Sequence, residues 1–223
     1  MPPFPPPSGV RASPSPLALP AGSRLWRVHH KHRPGSAFKP AEPNRHFRGG
    51  RFDGTRDDSY PCLYASPQEQ TALLETLARG LHFNDSGERL IRRAAITGYR
   101  ISEFETTKDL TLISLLTTAD LAAACQDEWL INCQAADYSQ TRRWGQWLRS
   151  QATWAQGLVW PSSRNLGGWN LVLFGDRCPD AALQIVAGTE VDFDDDDGAR
   201  WLNGQLAPFR ISVRLRTVVR AAR

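Results

Sequence analysis

The chain has 223 residues, 41% of them hydrophobic, which is enough to bury one core, and a single domain is the default at that length. No run approaches the roughly 20 apolar residues of a spanning helix, the proline-rich start lacks the apolar centre of a signal peptide, and four cysteines without C-x-x-C spacing speak against zinc and for free thiols in a reducing cytoplasm. The net charge of +4 hides a surplus of eight positive charges in residues 1–56, ten Arg or Lys against two acidic residues. That pattern suits nucleic acid or an anionic small molecule, and arginines interleaved with turn residues, without recognition-helix periodicity, favour the small molecule.

In chain order, residues 1–23 are rich in Pro, Ser and Ala and read as a disordered leader, followed by one domain over 24–223. Leu25-Trp26-Arg27-Val28 reads as a short strand, and on pattern alone Arg27 is an edge-strand arginine in solvent. His29, His30 and His32 alternate with cations and have no carboxylate or thiol nearby, so they read as a solvated loop with no metal. Residues 34–47, with Pro40, Pro43 and Asn44, form a loop long enough to act as a lid or binding loop.

The stretch Arg48-Gly49-Gly50-Arg51-Phe52-Asp53-Gly54 comes next. Its glycine pair allows backbone conformations closed to other residues, so Arg51 can be aimed at a bound group. Cys62-Leu63-Tyr64-Ala65 reads as a strand, and Ser66-Pro67-Gln68-Glu69 reads as a capping box that starts a helix carrying Glu75. The neighbours of Glu75 at helical spacing are mostly small, so a ligand or a loop can approach that face.

Residues 81–93 read as a second helix, 95–104 as a strand, 110–116 as another apolar strand or a buried turn, and 119–125 as a short helix. Residues 138–156 form a clear helix, with Trp144, Trp147, Leu148 and Trp154 as a core stripe. Two strands, 157–160 and 170–174, flank a turn with Ser162, Ser163, Gly167 and Gly168. A turn serine bonding its own backbone is the plain explanation of Ser162, and no G-x-S-x-G elbow surrounds it. The run from Asp192 to Gly198 fails as a calcium loop, because its sixth position is Asp197 and its twelfth Asn203, and it reads as a solvated acidic loop. Residues 209–216 alternate as a closing strand with one wet face.

Five of these stretches in this order, Leu25-Trp26-Arg27-Val28, Gly49-Gly50-Arg51-Phe52, Leu63-Tyr64-Ala65-Ser66, Leu73-Leu74-Glu75 and Trp160-Pro161-Ser162-Ser163-Arg164 with Gly167-Gly168-Trp169-Asn170-Leu171, resemble the RES domain across roughly residues 24–178. Phe52 stands where the family commonly has tryptophan, and Trp160 where it commonly has tyrosine. The resemblance implies an α+β fold with a bent, ADP-ribosyltransferase-like central sheet flanked by helices. It also implies a bacterial toxin that consumes NAD and pairs with a cognate Xre-type antitoxin. Carried over by position, the catalytic residues are Arg27, Arg51, Glu75 and Ser162. The substrate-binding residues are Arg27, Arg51, Tyr64, Ser162 and Ser163, and the doubled serine leaves that assignment open by one residue.

These residue types suit NAD. Its nicotinamide leaves as a neutral base while positive charge builds on the ribose, which a carboxylate such as Glu75 stabilises. Arginines make bidentate bonds to a pyrophosphate, and Tyr64 offers a stacking face. The expectation is an enzyme that needs no cofactor, takes NAD as substrate and inorganic phosphate or water as acceptor, and acts in the cytoplasm. Mono-ADP-ribosylation of a protein is the alternative, and a non-catalytic nucleic-acid or protein-binding module using the basic amino-terminal third is the second alternative.

Overall fold

The computed structural model describes residues 5–41 and 49–215. In chain order these form β1 (Pro16–Leu19), β2 (Arg24–His30), β3 (Cys62–Ala65), α1 (Glu69–Leu77), β4 (Arg89–Ile91), β5 (Tyr99–Thr106) and β6 (Leu110–Ser114). There follow α2 (Thr118–Ala123), α3 (Trp129–Asn132), α4 (Tyr138–Gln151), β7 (Gly157–Pro161), β8 (Trp169–Phe174), β9 (Leu183–Ile185), β10 (Val191–Asp192), α5 (Asp196–Leu206) and β11 (Ile211–Val213). The first four residues, Pro43, Asn44 and Phe47 of the long loop, Arg48 at the head of the glycine stretch, and Arg216 lie outside the described residues.

The α+β expectation holds, and the bend is made by two sheets meeting at a corner. A five-stranded sheet runs β1-β6-β7-β8-β3, and a second runs β10-β5-β2 with β9 also on β5. Paired backbone bonds join the sheets where Trp26 N–H reaches Ser66 O at 2.7 Å and Ser66 N–H reaches Trp26 O at 3.0 Å. Both faces of the first sheet are covered, which is why β7 and β8 read as continuous apolar runs. One core packs α4 and the α2–α3 region against it, a second lies between α1, α5 and β11, and a third holds Leu25, Leu63 and Phe104.

Several expectations change. The leader is not wholly disordered: Pro16 to Leu19 pairs antiparallel with Ile113 to Leu110, because Leu19 gains a buried place in the third core. Ser66 does not cap α1. It is held in the bridge to Trp26, its hydroxyl accepts from Gln68 N at 3.1 Å and donates to Trp169 O at 2.8 Å, and the helix begins three residues later. Residues 81–93 form a loop and β4 instead of a helix. Gly80 and Gly87 take positive φ, and the Asn84 side chain accepts from Ser86 N and Glu88 N, a local turn bond that competes with helix.

α4 stops at Gln151, so Trp144 and Leu148 are core whereas Trp154 is surface-exposed. His29 is not solvated: it lies in β2, buried, with Nε2 2.8 Å from Ser102 Oγ. The acidic run is structured as well. Asp195 caps α5 through Gly198 N, Asp192 pairs with Arg100, and Asp194 pairs with Lys31.

Candidate active site

The corner between the sheets opens into a cavity of about 280 Å³, whose walls carry Arg27, Arg51, Tyr64, Glu75 and Ser163. Five separated segments are thus brought together, and Ser162 lies directly behind Glu75.

Glu75 sits on the α1 face turned to β8. Its Oε1 accepts from Ser162 Oγ at 2.6 Å and from Asn170 Nδ2 at 3.0 Å, while Oε2 lies 3.6 Å from Arg164 Nε. The turn fixes the serine: its oxygen accepts from Arg164 N at 3.1 Å and Asn165 N at 3.0 Å. With both lone pairs occupied by backbone amides, its single proton goes to Glu75. The plain turn explanation of Ser162 and a role beside Glu75 therefore both hold. Ser163 is the serine that faces the cavity. Asn170, which sequence reasoning treated as a strand residue, completes the carboxylate's setting, and its signal was a polar side chain inside an otherwise apolar run.

Arg27 is half-buried, not a solvent arginine. Its Nη1 donates to Gly35 O at 3.0 Å and Ala37 O at 2.6 Å, because the chain after β2 folds back over the strand. Burial lowers its pKa to about 10, the Cys62 thiol pulls slightly the other way, and Arg33 adds to the lowering.

Arg51 follows a glycine pair whose need is visible. Gly49 has φ +113, and a Cβ on Gly50 would run into the Tyr64 phenol. The Arg51 guanidinium turns away toward α3. Nη1 donates to Leu130 O at 3.0 Å and to Cys133 Sγ at 2.9 Å, Nη2 donates to Cys133 O at 3.1 Å, and the group lies over the Tyr138 ring. It satisfies carbonyls at a helix end while lining the cavity.

Asp53 ties this loop to the sheet. Its Oδ2 accepts from Gly50 N at 2.9 Å and Lys39 Nζ at 3.0 Å, and its Oδ1 faces Cys62 Sγ at 3.4 Å. Burial works against ionisation of Asp53, but Lys39, the Gly50 amide and Tyr64 outweigh it and lower the pKa. The Tyr64 hydroxyl accepts from Phe52 N at 2.9 Å. Burial and the Asp53 charge raise its pKa well above the ordinary value, so it enters the site as a neutral phenol. Lys39, Asp53 and Arg79 also line the cavity. Sequence reasoning gave none of them a site role: Lys39 and Asp53 meet through pairing between segments that no local pattern announces, and Arg79 follows Glu75 by four residues just past α1. Four cations and two carboxylates thus line one cleft, an arrangement suited to an anionic ligand that carries a cationic centre at the Glu75 end.

The solved structure of the M. tuberculosis MbcT–MbcA toxin–antitoxin complex contains a chain of similar fold. The match has a TM-score of 0.52 at 19% identity and covers 78% of this chain and 86% of that one. No curated protein matches. The RES domain model matches residues 24–196, a span that takes in every residue of the cavity wall, and the chain belongs to the RES domain family.

Proposed function

We propose that this protein is the toxin of a toxin–antitoxin pair and that it cleaves the bond between nicotinamide and ribose in NAD. The observation that carries the reading is the Glu75 carboxylate, held through one oxygen by Ser162 and Asn170 and through the other by a looser ion pair with Arg164, in the wall of a cleft otherwise rich in cations. Departure of nicotinamide takes the bonding electron pair onto the ring nitrogen and neutralises the pyridinium, so no general acid is required. The ribose becomes oxocarbenium-like, and Glu75 Oε2 supplies the opposing charge. Phosphate or water then completes the reaction, as phosphorolysis or hydrolysis. The antitoxin partner is supported by the fold shared with a chain of a toxin–antitoxin complex, and an Xre-type protein is the family's implied partner. The place of action is the cytoplasm, where NAD is available.

Incubation of the purified chain with NAD, with and without phosphate, should release nicotinamide. Glu75→Gln should lower the rate by about 10²- to 10³-fold with an unchanged melting temperature. Full activity in that variant would remove Glu75 from the mechanism, and no release by the wild-type protein would remove NAD as substrate.

A further inference from the structure

The cations of the cavity differ in what they have free to offer a ligand. Arg51 has both terminal nitrogens on the carboxyl end of α3. Arg27 is held by two carbonyl oxygens and has no carboxylate partner among the described residues. A desolvated guanidinium without an anion is costly, and an arriving anion relieves that cost.

Lys39 stands close by. Backbone bonds fix it to β3 on both sides, Lys39 N to Cys62 O at 2.8 Å and Cys62 N to Lys39 O at 3.0 Å. Its side chain is three-quarters buried and its ammonium donates to Asp53 Oδ2. Asp53 is also met by the Gly50 amide and the Cys62 thiol; among the described residues it is the one acceptor of the Lys39 ammonium, which leaves two of the three Lys39 donors for the cavity. Arg27, Lys39 and Cys62 line the same cavity.

The register gives the spacing. Cys62 pairs with Phe174 and Ala65 with Leu171, so the Lys39 bridge and the Asn170 that holds Glu75 are four positions apart, roughly 13 Å along the strand. Side chains from both ends line one cavity.

We propose that Lys39 is a ligand-binding residue of this site, forming with Arg27 a subsite for a diphosphate. Resting on the NAD reading, that diphosphate is the bridge between the two nucleosides, held while Glu75 faces the nicotinamide ribose. Lys39 then discriminates dinucleotide from nicotinamide riboside, which has the scissile bond and lacks the anion.

The test uses the full chain and inorganic pyrophosphate as probe, with calorimetric titration at low salt. Wild type should bind it, and Lys39→Met should bind about tenfold more weakly, the loss of one charge-assisted bond. In nicotinamide release the same variant should raise KM for NAD about tenfold with kcat within about twofold, and Lys39→Arg should restore most of the affinity. The double variant Lys39→Met with Asp53→Asn separates lost binding from the strain of an unpaired Asp53, and it should remain as weak as Lys39→Met alone. Unchanged pyrophosphate affinity and KM in Lys39→Met, or restored affinity in the double variant, would overturn the subsite. Lys39-dependent pyrophosphate binding by a protein that releases no nicotinamide would uphold the subsite and reject the NAD reading instead.

Discussion

Glu75 illustrates how little freedom a carboxylate retains once its neighbours are counted. Oε1 takes hydrogen bonds from Ser162 and Asn170, and Oε2, with only the 3.6 Å ion pair to Arg164, is the oxygen with room for a ribose. Asn170 is a positioning residue: it touches the carboxylate and acts through it. Asn170→Ala should lower kcat about tenfold, the worth of one hydrogen bond to a charged group, with KM for NAD changed less than about twofold. A purely structural role would instead lower the amount of folded protein and leave the kcat of the folded fraction alone. Asn170→Asp should move the acid limb of kcat to higher pH, since two adjacent carboxylates hold a shared proton more tightly than one. A kcat–pH profile that overlays the wild type would reject Asn170 as a determinant of the Glu75 setting.

At the scale of elements, the antiparallel pairing of β2 with β5 places Arg27 opposite Ser102 and His29 opposite Arg100. His29 then reaches Ser102, whose hydroxyl also lies 3.2 Å from Glu190. Burial lowers the His29 pKa, with Arg27 and Arg100 adding to it and the His30 carbonyl opposing. The unfolded chain takes up a proton near pH 6.5 while the folded chain resists it, so stability falls as pH drops below that value and levels out once the folded imidazole is protonated. Denaturant titrations between pH 7.5 and 5 should show this slope, and His29→Gln, whose amide can donate to or accept from Ser102, should flatten it; equal slopes would exclude His29 as the source. Much at this scale was legible in the sequence. β5 to β8, α2 and α4 follow from apolar period and length, and the ordered motifs placed Arg27, Arg51, Tyr64 and Glu75 around one cavity. What was not legible depends on distant segments. Ser66 has the composition of a cap, but its backbone is taken by Trp26, and Lys39 becomes a cavity wall only through its bridge to Cys62.

For the whole molecule, part of the positive charge in the first 56 residues is held internally. Arg24 pairs with Glu103, Lys31 with Asp194 and Lys39 with Asp53, and Arg51 binds α3. That distribution favours a cleft over a nucleic-acid-binding face. The five-stranded sheet separates stability from chemistry: β3, beside the cavity, is one edge, and β1 is the other, four strands or roughly 19 Å away. β1 begins with a proline, which an edge strand tolerates. It lies outside the family match that starts at residue 24, yet it covers β6 and buries Leu19 among Leu25, Leu110 and Leu112. A charge at position 19 would remove that burial, worth about 1.5–3 kcal/mol for a leucine, and would free an edge of β6 that attracts other strands. Leu19→Asp in the full chain should therefore melt about 5–10 °C lower and aggregate more readily. At 25 °C its KM for NAD should equal that of wild type, because no residue of β1 lines the cavity. An unchanged melting temperature would mean that the amino-terminal strand contributes nothing to the fold, and a raised KM at full folding would mean that the two edges of the sheet are coupled.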